Sequence, residues 1–141
     1  MTDIVRHVAS VTNATALRIV HAAITAAEDA GVPAAIAVVD AAGHLSAFAR
    51  MDGCVVQAIQ VSQDKAYTAA GFGMATNQWH EVMQQDAPLA QGAPAGMDRL
   101  ITFGGGVPIN VDGQVVGGIG VSGGHWSQDH QIAQAGLQAI G

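Results

Sequence analysis

Arg50, Asp52 and Lys65 are three charged side chains close together in a chain that carries few charges. Arg50 ends an alternating apolar run and Asp52 follows two residues later. Lys65 falls on the flank of a helical run beside Val61 and Ala69. If that helix folds back on a sheet, a guanidinium and an ammonium converge on one spot and could hold a carboxylate-bearing ligand. Asp52 or Lys65 would then be the catalytic group, placed to move a proton. The same residues also suit a plain surface ion pair, the commoner fate of Arg–Asp neighbours.

Two glycine clusters extend this picture. Ser122-Gly123-Gly124 precedes a helical run, so free backbone N–H groups and the helix dipole there can receive an anion. Gly104-Gly105-Gly106 offers a second concave stretch of backbone as a ligand-binding element, without the Lys-Ser/Thr of a P-loop. Tight turns and close helix–sheet packing would demand the same glycines. Two literal motifs fail on context. Gly118 to Gly123 spells GxGxxG, but inside a strand and too near the end of the chain for a dinucleotide fold. Gly120 to Gly124 spells GxSxG, but Asp129 and His130 follow on one helix, too close to Ser122 to form a triad with it.

The six histidines contain neither HExxH nor a close HxH pair, so the spacing offers no dedicated zinc site. His21 follows Leu17 by four residues and precedes Ile24 by three, which sets it at the border of an apolar helical stripe. An imidazole at such a rim can ligate haem iron, making His21 the metal-ligand candidate. A satisfied core or interface histidine is the commoner reading. His125, beside Trp126, is a weaker candidate. Cys54, near a helix start, is either a thiol of lowered pKa or a small buried filler.

These residues need elements to hold them. Asn13 to Ala30 reads as a helix, with Thr12 or Asn13 as cap and Gly31-Val32-Pro33 as stop. Ala34 to Asp40 and His44 to Arg50 read as two strands joined by a tight turn at Ala41-Ala42-Gly43. A helix from about Val55 to Ala70 and a shorter one to about Gln85, capped by Thr76 or Asn77, come next. Asp86 to Met97, with Pro88, Gly92, Pro94 and Gly96, reads as a surface loop. Leu100 to Phe103 reads as a strand. Val107 to Val111 and Gln114 to Val121 form a hairpin around Asp112-Gly113, which suits a type I′ turn. A final helix runs to Ile140 with Trp126, Ile132, Gly136 and Ile140 inward. Tight hairpins exclude a parallel doubly wound sheet. The expected fold is α+β, a five-stranded, mainly antiparallel sheet covered by helices in one domain spanning residues 1–141.

Composition narrows the function classes. The 141 residues are 50% hydrophobic but only 4% aromatic and 11% charged, with a net charge of −6. The five basic residues form no cluster, which argues against a nucleic-acid partner. Charges interrupt every apolar run before membrane-spanning length. One cysteine excludes an internal disulfide and points to a reducing cytoplasm. A folded monomer of this mass exposes roughly 6,800 Å², or one formal charge per roughly 400 Å². Such thin charge predicts a homo-oligomer.

The runs IAVVDAAGHLSAFARMDG (Ile36 to Gly53), QDKAYTAA (Gln63 to Ala70) and GGGVPINVDGQVVGGIGVSGG (Gly104 to Gly124), with Asp129 beyond, resemble the GlcG/HbpS-like family, which also resembles the C-terminal domain of PduO-type proteins. The resemblance covers essentially the whole chain. It implies a profilin-like α/β/α fold, homo-oligomers, haem binding in some members and a role in haem degradation or small-molecule catabolism. Two functions follow. One is a protein binding haem or another tetrapyrrole, using an apolar face, propionate-holding Arg50 or Lys65 and an axial ligand. The other is a cofactor-free isomerase, lyase or hydrolase acting on a small carboxylated substrate.

Overall fold

In the computed structural model, which describes residues 3–141, a four-stranded antiparallel sheet lies between helices. The element order is α1 (Asn13–Ala30), β1 (Ala35–Asp40), β2 (Leu45–Arg50), α2 (Gln57–Phe72), α3 (Trp79–Gln84), α4 (Ala87–Gly96), β3 (Gly106–Val111), β4 (Gln114–Ser122) and α5 (Trp126–Leu137). The strands run β2-β1-β4-β3 across the sheet, and every pairing is antiparallel. Both expected hairpins are present. In the second, Asp112 and Gly113 both have positive φ, the backbone that a type I′ turn requires.

Local chemistry explains most boundaries. Thr12 caps α1 by accepting from the Thr15 amide, and Gly31 closes it in the left-handed conformation. Residues 35–39 of β1 are all buried because helices cover both faces of this inner strand. On one face, α1 and α5 pack over Ile36, Val38, Ile109, Ile119 and Val121. On the other, α2 presses Ala66 and Ala70 against Ala37 and Val39, with Phe48 at the margin.

The approach of α2 to the sheet is close. A methyl group at Gly120 would collide with the Ser62 carbonyl and stand 2.6 Å from the Ala66 nitrogen. At Gly118 it would stand 2.5 Å from the Ala66 carbonyl oxygen. The helix backbone therefore rests on the strand with no side-chain layer between them.

Three expectations about elements are corrected. The sheet has four strands, not five, because Leu100–Phe103 forms none. That stretch bonds to α2 instead: the Thr68 hydroxyl donates to the Arg99 carbonyl (2.9 Å) and accepts from the Ile101 amide (3.1 Å). Asp86–Met97 is not a loop but carries α4. Asp86 caps it by accepting from the Leu89 amide, Pro88 falls in the first turn where no N–H is needed, and Pro94 is tolerated inside. Trp126 does not face inward, being 47% exposed, whereas Ile132 and Gly136 are buried. In addition, α2 begins and ends two residues later than expected, and residues 138–140 leave α5 as a 3₁₀ turn.

Gly120→Ala should lower stability by at least about 2 kcal/mol, because neither the helix backbone nor the strand backbone can give way. Gly92→Ala, which meets open space in α4, should be neutral or slightly stabilising. Urea denaturation of both variants checks this, and equal midpoints would contradict the close packing.

Candidate functional site

Lys65 is fully buried at the seam between α2, β4 and α5. Its ammonium lies 3.1 Å from Asp129 Oδ2, both side chains being at most 2% exposed. It also donates to the Val121 carbonyl (2.8 Å) and stands 5.0 Å from the centroid of the Phe103 ring. The glycines at 104–106 make room for it. A methyl at Gly105 would sit 2.6 Å from Nζ and 2.9 Å from Cδ of Lys65. At Gly106 it would strike the Lys65 backbone carbonyl. Gly105 donates no side chain but its carbonyl accepts from the Val121 amide (2.8 Å), which closes the lid over the lysine.

Asp129 answers the question raised by Ser122-Gly123-Gly124. The Gly124 amide donates to its Oδ1 (3.0 Å), and the Gly123 amide also supports the carboxylate. Asp129 lies in the first turn of α5, where the helix dipole favours a negative charge. The anion at these amides is thus the chain's own carboxylate. Burial lowers the Lys65 pKa and raises that of Asp129, and their mutual attraction opposes both shifts. His125 completes the helix start by accepting from the Ser127 amide while Gln128 accepts from the His125 amide.

The other expected residues form no ion pair with Lys65 or Asp129 among the described residues. Arg50 is exposed at the end of β2, in register with Ala35 and, one strand further, Ser122. Asp52 is exposed in the turn that follows, and the two form no ion pair among the described residues. Lys65 lies inside rather than on a flank, and its ion pair is with Asp129 and not with Asp52. Cys54 is half-buried, and burial raises its thiol pKa despite the nearby Arg50 charge. Thr76 does not cap α3 but accepts from the Gly106 amide (2.9 Å). His21 is exposed on α1. Thr25 bonds to its backbone carbonyl, and no hydrogen bond engages its ring among the described residues.

A cleft of about 540 Å³ opens above the lid of Lys65. Phe103 and Trp126 wall it, Gly104 lies in its floor, Asn77 lines it from the 3₁₀ turn before α3, and His80 and Glu81 line it from the first turn of α3. Reading the sequence missed both this cleft and the role of Asp129 as partner of Lys65. An acidic residue in the first turn of a helix, just behind two glycines, is the signal that could have revealed the second.

The profile of one family, described as haem degrading protein HbpS-like, matches residues 11–138. The chain belongs to the HbpS-like family. It is 42% identical over 87 residues to the GlcG protein of Escherichia coli K12, 62% of each chain. A double mutant of HbpS from Streptomyces reticuli superposes with a TM-score of 0.89 at 29% identity, covering 100% of this chain and 94% of that one. A PduOC–haem complex superposes with a TM-score of 0.86 at 31% identity, covering 93% and 95%. The resemblance read from the motifs is therefore established.

Breaking the buried pair should cost more than removing it. Lys65→Met alone should destabilise by about 3–5 kcal/mol, because it strands Asp129 without its cation. With Asp129→Asn added, the total should fall short of the sum of the two single losses by about 2 kcal/mol. A double-mutant cycle in urea measures this coupling, and strict additivity would refute it.

Proposed function

We propose that this protein binds haem or a closely related tetrapyrrole on the exposed face of α1, with His21 as the axial ligand. The observation that carries the reading is the state of His21. Its ring is exposed and free of hydrogen bonds to the described residues, one turn after Leu17, itself 45% exposed, and one turn before half-buried Ile24. An unengaged imidazole flanked by aliphatic side chains fits what haem iron and the porphyrin face require. Arg18, one turn from His21, lies where a propionate could reach it, although its guanidinium donates to the Ala139 carbonyl. When bound, haem would bring iron redox and oxygen chemistry. The part of this chain would be to supply one nitrogen ligand and an apolar bed.

Membership of the HbpS-like family and the likeness to a haem complex of PduOC support this reading. The interior of the chain supports it less than the α1 surface does. The Lys65 ammonium is already engaged by Asp129 and the Val121 carbonyl, and the Phe103 ring lies over it. No specific observation favours the cofactor-free enzyme.

Titration with haemin should give a saturable Soret band that His21→Ala removes or strongly shifts. His7→Ala, in the exposed N-terminal segment, should leave the band unchanged. Identical spectra for the two variants would refute the assignment of His21.

A single α1 offers a ring only one wall, and the proposed homo-oligomer would supply another. Besides Leu17, Val55 and Val56 at the approach to α2 and Leu45 on edge strand β2 are large exposed apolar side chains. The edge strand also presents unpaired backbone to a second copy. Light scattering at micromolar concentration should return a multiple of 14.3 kDa. The monomer mass would rule the assembly out.

A further inference from the structure

We infer that the cleft between α3 and the start of α5 is a second ligand site, separate from the α1 face, which takes a small planar ring bearing N–H donors, neutral or cationic rather than anionic. Its volume of about 540 Å³ suits a one- or two-ring ligand. The chain has only six aromatic residues, and two of them, Phe103 and Trp126, stand 48% and 47% exposed on this cleft. Rings left open to water on a concave surface are a stacking platform for another ring.

The floor is kept low by sequence. A methyl at Gly104 would come within 2.8 Å of the Trp126 ring and 3.0 Å of its backbone oxygen, so any side chain there would fill the space. The φ of Gly104 lies outside the left-handed region, so this glycine answers a need for room and not for a turn.

Polarity decides the class of ligand. Asn77 Oδ1 is shielded from solvent and has no donor among the described residues, although Asn77 lines the cleft. An acceptor without a partner favours a ligand that brings an N–H or O–H, and a turn of the Asn77 amide toward the cleft would present it. Glu81 adds a second acceptor and a full negative charge. Beneath the floor, the Lys65 ammonium is balanced by Asp129 at 3.1 Å, so the uncompensated charge facing a ligand is that of Glu81. A carboxylate would meet repulsion from Glu81 and find no Lys or Arg in the lining, while His80 Nε2 is engaged by the Gln84 amide nitrogen (3.1 Å). A ring amidine or amine would find acceptors, and the aromatic walls would favour positive charge over their faces.

Benzamidine and benzoate are matched probes, alike in ring and size and opposite in charge. Amide and indole N–H signals of the ¹⁵N-labelled protein should shift saturably with benzamidine, the Trp126 indole among them, with a Kd of about millimolar. Benzoate should bind at least about tenfold more weakly. Asn77→Leu and Glu81→Gln should each weaken benzamidine about five- to tenfold. Glu81 is exposed, so its amide isostere tests the site without disturbing the fold. Benzoate binding as tightly as benzamidine would overturn the inference, as would the absence of any saturable shift at Trp126 up to about 10 mM. The haemin titration reads a different face, so either site can fail without the other.

Discussion

The backbone of α2 rests directly on β4, and much of the molecule follows from that contact. Glycines at 118 and 120 remove the side chains that would otherwise stand between helix and strand. Beside that bare contact, α2 meets β1 through Ala66 and Ala70 against Ala37 and Val39, none of them a large residue. A chain organised in this way needs few aromatic rings and many alanines. The sparse charge and small side chains, which sequence composition alone ties to self-association, are thus partly accounted for inside one copy. The same closeness drives Lys65 under the 104–106 backbone, where only a carboxylate brought in from α5 can balance it.

The fold was legible where the signal was local. Hydrophobic periodicity and Gly31 mark out α1, and Asp112-Gly113 marks the second hairpin, because capping and turn chemistry act within a few residues. It was illegible where a distant partner decided the outcome. Leu100–Phe103 has the composition of a strand, yet the Thr68 hydroxyl on α2 accepts from the Ile101 amide and donates to the Arg99 carbonyl just before it. The two prolines and two glycines of 86–97 read as a loop, yet Pro88 lies where a helix needs no donor and Asp86 caps the turn. At the site, residue types pointed to Lys65 and to the glycine amides separately. Nothing local shows that Asp129, 64 residues beyond Lys65, joins the two.

The two faces of the sheet carry different chemistry. Helix α1 exposes the His21 ring beside Leu17, the surface on which the haem proposal rests. The α2 side ends in a small aromatic cleft whose nearest buried charges are already paired. Family membership and the likeness to a haem complex bear on haem binding and assign neither face.

Asp129 has a consequence for any external anion that approaches Gly123 and Gly124. The carboxylate already there is tethered through α5, so it competes as an intramolecular group with an effective concentration of roughly millimolar or higher. A free carboxylate or phosphate would have to displace it, and displacement would leave Lys65 facing a mobile ion in place of a fixed one. The amide nest therefore works as an internal plug that resists exchange with solutes, and it turns a feature that looks like a receptor in sequence into a fastener between two helices.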